Sequence, residues 1–332
     1  MNDNHGLFPY ADPDKVKAIE KYLGAPELIR LKNVGMHCGL EYTSFPFYKD
    51  LGSYSRYVHS VGVALICLNF SDDLKVALSG LFHDISTPCF AHVIDFLNGD
   101  HDTQESTEAS TRDVIQGSSR IMELLREDGF SLDDVSDYHR YPIADNDSPR
   151  LSADRLEYTI SNFINFGLMP FEEAVELYKD IEVGTNEEGM TELVFKNEDR
   201  ALKFALNCLE NGRIYVADED RFSMEYLARK LLDAISRGVI SRPDLMLTEP
   251  ILIDKLCRDP KSKADWESFR ALRALERHET PVEGAWKIGG KKRFIDPYVK
   301  GRGRLSGISE EFRNKVKAFK SVSFGLYLKS AL

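Results

Sequence analysis

Apolar residues along most of the chain recur at helical spacing, interrupted by short polar caps. The stretch "SRYVHSVGVALICLNF" (55–70) reads as an amphipathic helix, and Asp12-Pro13 opens an earlier one. Ser71 with Asp72 and Asp73 caps the next helix, which runs out at His83-Asp84. Pro88 suits the first turn of a helix carrying "CFAHVIDFL". Further on, "SPRLSADRLEYTISNFINFG" predicts a helix opened at Ser148-Pro149 and closed near Gly167. "DIEVGTNEEGMTELVFKN" (180–197) instead alternates around a Gly/Asn-rich centre, the pattern of a small β-hairpin. Helical spacing resumes at Glu198 and lasts to about residue 278, where "GAWKIGGKKRFIDPYVKGRGR" breaks it into loop or short strand. The expectation is a mainly α protein with a helical core over 1–175. A mostly helical C-terminal lobe over 176–332 holds the hairpin and a basic tail from about 281.

Composition narrows the class. Across 332 residues, 42% hydrophobic and 29% charged is ordinary globular usage. No apolar run approaches the ~20 residues that span a bilayer, and Met1-Asn2-Asp3-Asn4-His5 has no basic leader region. A soluble cytoplasmic protein with no membrane role is expected. The 5 cysteines are odd in number, scattered and without a CxxC pair, which speaks against a disulfide framework and a cysteine zinc site.

A net charge of −11 disfavours general nucleic-acid binding, but the charge is unevenly placed. From Pro281 onward there are 12 Lys/Arg against 4 Asp/Glu, so a basic tail follows an acidic body. Its Lys291, Lys292 and Arg293 are candidates to hold a substrate, an effector or a partner subunit. The glycines there do not form a phosphate-cradling P-loop, because Gly290 stands where the lysine is needed.

Five of the 8 histidines, His59, His83, His92, His101 and His139, fall between residues 59 and 139. A histidine on an apolar helix face is commonly a hydrogen-bonded core residue, and one His-Asp dipeptide is unremarkable. Order changes the weight: a histidine on one helix, His83-Asp84 later, and Asp154 on a distant helix. Imidazole and carboxylate ligands from separate elements suit a hard or borderline divalent ion.

That order resembles the HD superfamily of metal-dependent phosphohydrolases, and within it the dGTPase-like branch of deoxynucleoside-triphosphate triphosphohydrolases. "SRYVHSVGVA", "LFHDISTPCFAH" and "SADRLEY" are similar to three blocks of that branch. The resemblance implies an HD-domain helical core in which His59, His83, Asp84 and Asp154 bind a divalent ion, with Mn, Mg, Fe, Co, Ni and Zn all open. It places His92 and Asp95 in the catalytic machinery, with His101 as a second catalytic histidine. Arg56, Arg155 and Tyr158 match positions facing substrate phosphate or sugar. Each has a plainer alternative: structural ion pairs for the arginines, packing for the tyrosine. His139 and His278 match no block, and His5 and His37 are expected to lie outside the site.

A bound divalent ion neutralises phosphate oxygens and lowers the pKa of coordinated water from about 15.7 to about 7. His92, with its pKa raised by Asp95, would donate a proton to the leaving group or orient the attacking oxygen. The partner expected is a small phosphorylated molecule, a nucleotide, and the family's habit suggests a homo-oligomer. Three departures bear on substrate: Thr87 replaces a histidine, Pro88-Cys89 replaces Gly-Pro, and Asn162 stands where a sugar-contacting aspartate is usual. An HD-type nucleotidase, a cyclic-nucleotide phosphodiesterase and a non-catalytic nucleotide sensor therefore stay open beside triphosphohydrolysis.

Overall fold

The computed structural model describes residues 10–98 and 110–331, built mainly of helices with two small sheets. At its centre lies the Arg56–Ser71 helix, capped by Ser55, whose hydroxyl accepts the Val58 amide. Nearly every residue from His59 to Leu68 is buried, as expected of a helix apolar on most faces. The Leu74–Phe82 helix packs against it closely because Gly80 faces Val63 and Cys67, where an added Cβ would sit 3.0 Å from a Val63 methyl. Gly62 does the same for the Ala153–Asn165 helix, since a Cβ there would lie 2.7 Å from Glu157 Cγ. Close helix approach at these two glycines draws His59, His83 and Asp154 toward one point.

Two helix starts differ from the sequence expectation. The helix after Pro88 begins only at Val93, leaving His92 just outside it. The amides of the expected first turn bond elsewhere: Cys89 N–H to the Leu245 carbonyl at 2.8 Å and Phe90 N–H to Glu249 Oε1 at 3.3 Å. Phe90 and Ala91 consequently adopt positive φ, 61° and 44°. The later helix starts at Ala153 rather than at Ser148-Pro149, because residues 147–150 turn back on themselves through Arg150 N–H to Asp147 O. Ser152 caps it by accepting the Arg155 amide.

The hairpin forms as Ile181–Thr185 against Thr191–Phe195, antiparallel, with Ile181 opposite Phe195. It extends into a four-stranded sheet through Tyr298–Val299 and Gly303–Arg304, the 195-to-299 pairing being parallel. A second sheet places Tyr327–Ser330 between Leu275–His278 and Trp286–Lys287. The apolar interior divides into two clusters, and neither is confined to one side of residue 175. One combines the helices around Val63, Leu156 and Phe204 with Phe312 and Phe319. The other packs Phe90, Val93 and Phe96 against Phe222, Leu252 and Trp266. The segment preceding and following His92 is thus folded into the C-terminal half of the chain. Among the described residues no helix is long and apolar enough to cross a membrane.

Candidate metal centre and active site

His59 sits in the first turn of the central helix, buried, and both ring nitrogens are gripped by one neighbouring helix. Its Nδ1 lies 2.5 Å from Glu157 Oε2 and its Nε2 3.1 Å from Asp154 Oδ1. Asp154 and Glu157 are three residues apart and therefore share a helix face. His83 directly follows its helix and donates Nδ1–H to the Gly80 carbonyl at 2.6 Å, which turns its Nε2 inward. The two Nε2 atoms are 3.1 Å apart. Asp84 Oδ2 is 3.6 Å from His83 Nε2 and 3.9 Å from His59 Nε2, and Asp154 Oδ1 is 3.7 Å from His83 Nε2.

Asp84 is itself held from behind. Arg56 donates to its Oδ2 at 2.7 Å, and the Thr87 hydroxyl donates to its Oδ1 at 2.7 Å. Thr87, the position that departs from the resembled family, thus orients a proposed ligand. Burial raises the Asp84 pKa, but the Arg56 charge and the nearby imidazoles outweigh it and hold the carboxyl well below the usual range. Burial likewise opposes ionisation of Asp154, and the His59 hydrogen bond overcomes it, bringing the group to about 2. For His59 burial disfavours charge, yet hydrogen bonds to Asp154 and Glu157 raise its pKa to about 10.

These side chains fit a divalent cation. Donors bound at about 2.0–2.2 Å to one ion lie roughly 3–4.4 Å from each other, the range seen among His59 Nε2, His83 Nε2 and Asp154 Oδ1, and between Asp84 Oδ2 and the two imidazoles. With both Nδ1 protons committed, a cation that displaces the proton held at His59 Nε2 would be met by two inward Nε2 lone pairs. His59, His83 and Asp154 lie close enough together to share one ion. Glu157 behind His59, and Arg56 and Thr87 behind Asp84, are the outer partners that fix ligand orientation. Glu157 was not singled out from the sequence, although its spacing from Asp154 was the available signal.

The cluster forms one wall of a cavity of about 720 Å³ that also exposes His92, Tyr158, Asn162, Tyr215, Asp220 and residues 290–294. His92 Nδ1 lies 2.9 Å from Oδ2 of the fully buried Asp95, leaving Nε2 as the nitrogen that can work in the cavity. The expected rise in the His92 pKa is not the net result. Burial lowers it, Asp95 pulls upward without prevailing, and Arg293 and Arg56 lower it further. His101 lies outside the described residues.

Arg56, Arg155 and Tyr158 all reach the cavity lining. Arg155, however, donates Nε–H to Arg150 O at 2.6 Å and Nη2–H to Asn146 O at 2.5 Å, and pairs through Nη1 with Asp145 at 2.8 Å. The Tyr158 ring lies between His59 and Tyr215, its centroid 6.4 Å from each. His37, expected outside the site, lines the cavity; its Nε2 is 3.3 Å from Asn162 Oδ1, and Asn162 donates to Tyr215 Oη at 2.8 Å. His139 also lines it, with Nε2 3.4 Å from Asp145 Oδ2. Their remote sequence positions carried no motif that would have placed them there.

No protein-family model matches the chain. It is 25% identical over 287 residues to the uncharacterized protein YdhJ of Bacillus subtilis, covering 83% of this chain and 84% of that one. It is 28% identical over 263 residues to the metal-dependent phosphohydrolase cns2 of Cordyceps militaris, covering 75% and 72%. Among solved structures, a hypothetical protein from Aquifex aeolicus matches with a TM-score of 0.61 at 19% identity, covering 94% of this chain and 91% of that one. A phosphohydrolase from Bacteroides thetaiotaomicron matches with a TM-score of 0.55 at 15% identity, covering 79% and 75%. These structural likenesses show a shared fold.

Proposed function

We propose that the protein is a divalent-metal-dependent phosphohydrolase of HD type that acts on nucleotides, cleaving (deoxy)nucleoside triphosphates to nucleoside and triphosphate. The observation that carries this reading is the convergence of His59, His83, Asp84 and Asp154 on the wall of a cavity that also presents His92 backed by Asp95. The phosphohydrolase name of the Cordyceps relative and the fold shared with the Bacteroides phosphohydrolase support it. When bound, the ion neutralises phosphate oxygens and activates water.

The chain's own groups supply the rest. Asp95 fixes the His92 tautomer with Nδ1 protonated, so Nε2 faces the reacting oxygens and exchanges a proton with the attacking water or the leaving group. Arg56 keeps Asp84 ionised and oriented. His37, Asn162 and Tyr215 form a hydrogen-bonded wall of neutral amide, phenol and imidazole that matches the hydroxyl groups of a sugar.

The test is to purify the protein, measure its metal content, and screen nucleotides with Mn, Mg, Fe, Co, Ni or Zn supplied. Release of intact triphosphate supports the triphosphohydrolase reading. Orthophosphate or an opened cyclic phosphate assigns the site to a nucleotidase or a cyclic-nucleotide phosphodiesterase. Full metal content and activity in Asp84→Ala would overturn the metal site, whereas parent-rate turnover in His92→Ala removes only the role given to His92.

A further inference from the structure

Two carboxyl groups converge behind the turn that delivers His92, and the donors around them are unequally shared. Glu249, at the start of the Glu249–Cys257 helix, accepts the Gly35 and Phe90 amides on Oε1 and the Tyr42 hydroxyl on Oε2. Glu41, in the short helical turn Leu40–Tyr42, has its Oε2 buried without a hydrogen-bond partner among the described residues. Gly35 lets the two approach: a Cβ on it would run into Glu41 Oε1 and lie 3.7 Å from Glu249 Oε1. Burial raises both carboxyls. Hydrogen bonds from Gly35, Tyr42 and Phe90 pull Glu249 back, whereas burial and the neighbouring Glu249 charge push Glu41 up to about 8. The Glu41 and Gly39 amides and the Arg56 charge oppose that rise without cancelling it. A carboxyl rich in donors beside one that lacks them is an ionised group beside a protonated one.

The other groups facing this pair keep their charge state near neutral pH. Burial pushes the Cys38 and Cys89 thiols up to about 12 and raises the Tyr42 phenol above its usual range. Burial opposes the charge of Arg56, but Asp84, to which it donates, outweighs that and keeps it cationic. What rests on the pair is the turn at Phe90 and Ala91, whose left-handed backbone persists only where its surroundings hold it. The Phe90 ring packs on Trp266 with centroids 5.9 Å apart, and Tyr42 packs on the same indole at 5.2 Å. A second charge on Glu41 would repel the carboxylate that grips Gly35 and Phe90, in an interior where solvent and salt screen such repulsion little.

We propose that Glu41 carries a proton in the folded chain and that this proton latches Glu249 onto the Phe90–Ala91 turn, so that its loss in alkaline solution releases the turn and withdraws His92 from the cavity. Glu41 and Glu249 are thereby positioning residues that make the placement of His92 depend on pH. The latch goes beyond the phosphohydrolase reading above, and only its consequence for turnover rests on that reading.

Trp266 reports the latch directly, since it touches both rings. The experiment is a fluorescence titration from about pH 6 to about pH 10 of the full chain carrying Trp286→Phe, which leaves Trp266 as the sole indole, alone and combined with Glu41→Gln or Glu249→Gln. Trp266 emission is expected to change in one step with its midpoint at about 8 and to stay flat in Glu41→Gln. In Glu249→Gln, where the repelling charge is gone, the midpoint should move down by about 1 unit or more. The same step in Glu41→Gln overturns the proposal, as does a parent with no step. An unmoved midpoint in Glu249→Gln also overturns it, and that variant carries the test if Glu41→Gln does not fold. With a substrate that the parent hydrolyses, kcat should fall at least about 10-fold above the same midpoint in the parent but not in Glu41→Gln. A Trp266 step without that fall removes the effect on His92. A step in a protein that hydrolyses no phosphate ester with any metal keeps the latch and removes the phosphohydrolase reading, and turnover with no step does the reverse.

Discussion

Glu157 and His59 form a buried pair, Oε2 of one 2.5 Å from Nδ1 of the other, with the Tyr54 hydroxyl donating to the same carboxylate oxygen. The pair fixes which nitrogen of His59 carries the proton and so which one faces Asp154. Glu157 is not part of the cavity lining, whereas His59 is, so any role of Glu157 there runs through His59.

Replacing Glu157 by Gln keeps the volume but removes the charge that makes His59 a strong donor. Metal affinity is expected to fall by about 10- to 100-fold, the usual effect of losing an outer partner of a ligating histidine. Competition of the parent and the variant against a chromophoric chelator measures it. Equal affinities would show that Glu157 only fills space beneath Gly62.

Arg155 answers a different question. Its bonds to Asp145, Asn146 and Arg150 tie the 145–150 turn to the start of the Ala153–Asn165 helix. Arg155→Met leaves the buried Asp145 carboxylate without its cation, and removing one partner of a buried pair costs about 3–5 kcal/mol. Chemical denaturation should report a loss of that order, with KM for a phosphorylated substrate little changed at temperatures where the variant is folded. A large KM increase without loss of stability would instead return Arg155 to the substrate.

That His59, His83, Asp84 and Asp154 come together was legible because residue type and order carry them: imidazole and carboxylate groups at helix starts and ends, spaced along a helical pattern. His37 was not, since its place depends on contacts between distant segments. The same holds for the late start of the Val93–Asn98 helix. The amides of Cys89 and Phe90 find acceptors at Leu245 and Glu249, more than 150 residues away, and no local propensity signals that competition. For Arg155 the residue was visible but its partners were not, so phosphate binding and a structural ion pair looked alike.

Acid sensitivity should trace in part to His37. Burial lowers its pKa from the usual 6.5 to about 4, so the folded chain keeps it neutral while the unfolded chain protonates it. The unfolded state therefore binds more protons between those values, and stability falls as pH drops from about 6.5 toward about 4, by at most about 3 kcal/mol. His37→Gln keeps a polar side chain beside Asn162 and removes the titration. The difference in unfolding free energy between parent and variant should shrink by that amount on acidification from pH 7, and a pH-independent difference would rule His37 out as a source.

Glu249 controls the turn that delivers His92. From the start of the Glu249–Cys257 helix its Oε1 accepts the amides of Gly35, at 2.9 Å, and Phe90, at 3.3 Å, while Oε2 accepts the Tyr42 hydroxyl at 2.8 Å. Two consecutive left-handed residues, Phe90 and Ala91, each cost about 1–2 kcal/mol and persist only where their surroundings hold them. Glu249→Ala leaves the buried Phe90 amide unpaired, at about 1–3 kcal/mol, removes the acceptor of the half-buried Gly35 and Tyr42 donors, and frees the turn. Turnover should fall by at least about 10-fold while metal content stays at the parent level, because His83 and Asp84 precede the turn and have their own supports in Gly80, Arg56 and Thr87. Glu249→Gln retains an accepting oxygen for Gly35 and Phe90, and burial already raises the carboxyl pKa of Glu249. It should recover most of the turnover that Glu249→Ala loses. Loss of metal in Glu249→Ala, or equal damage in both variants, would show that the residue supports the fold at large rather than the placement of His92.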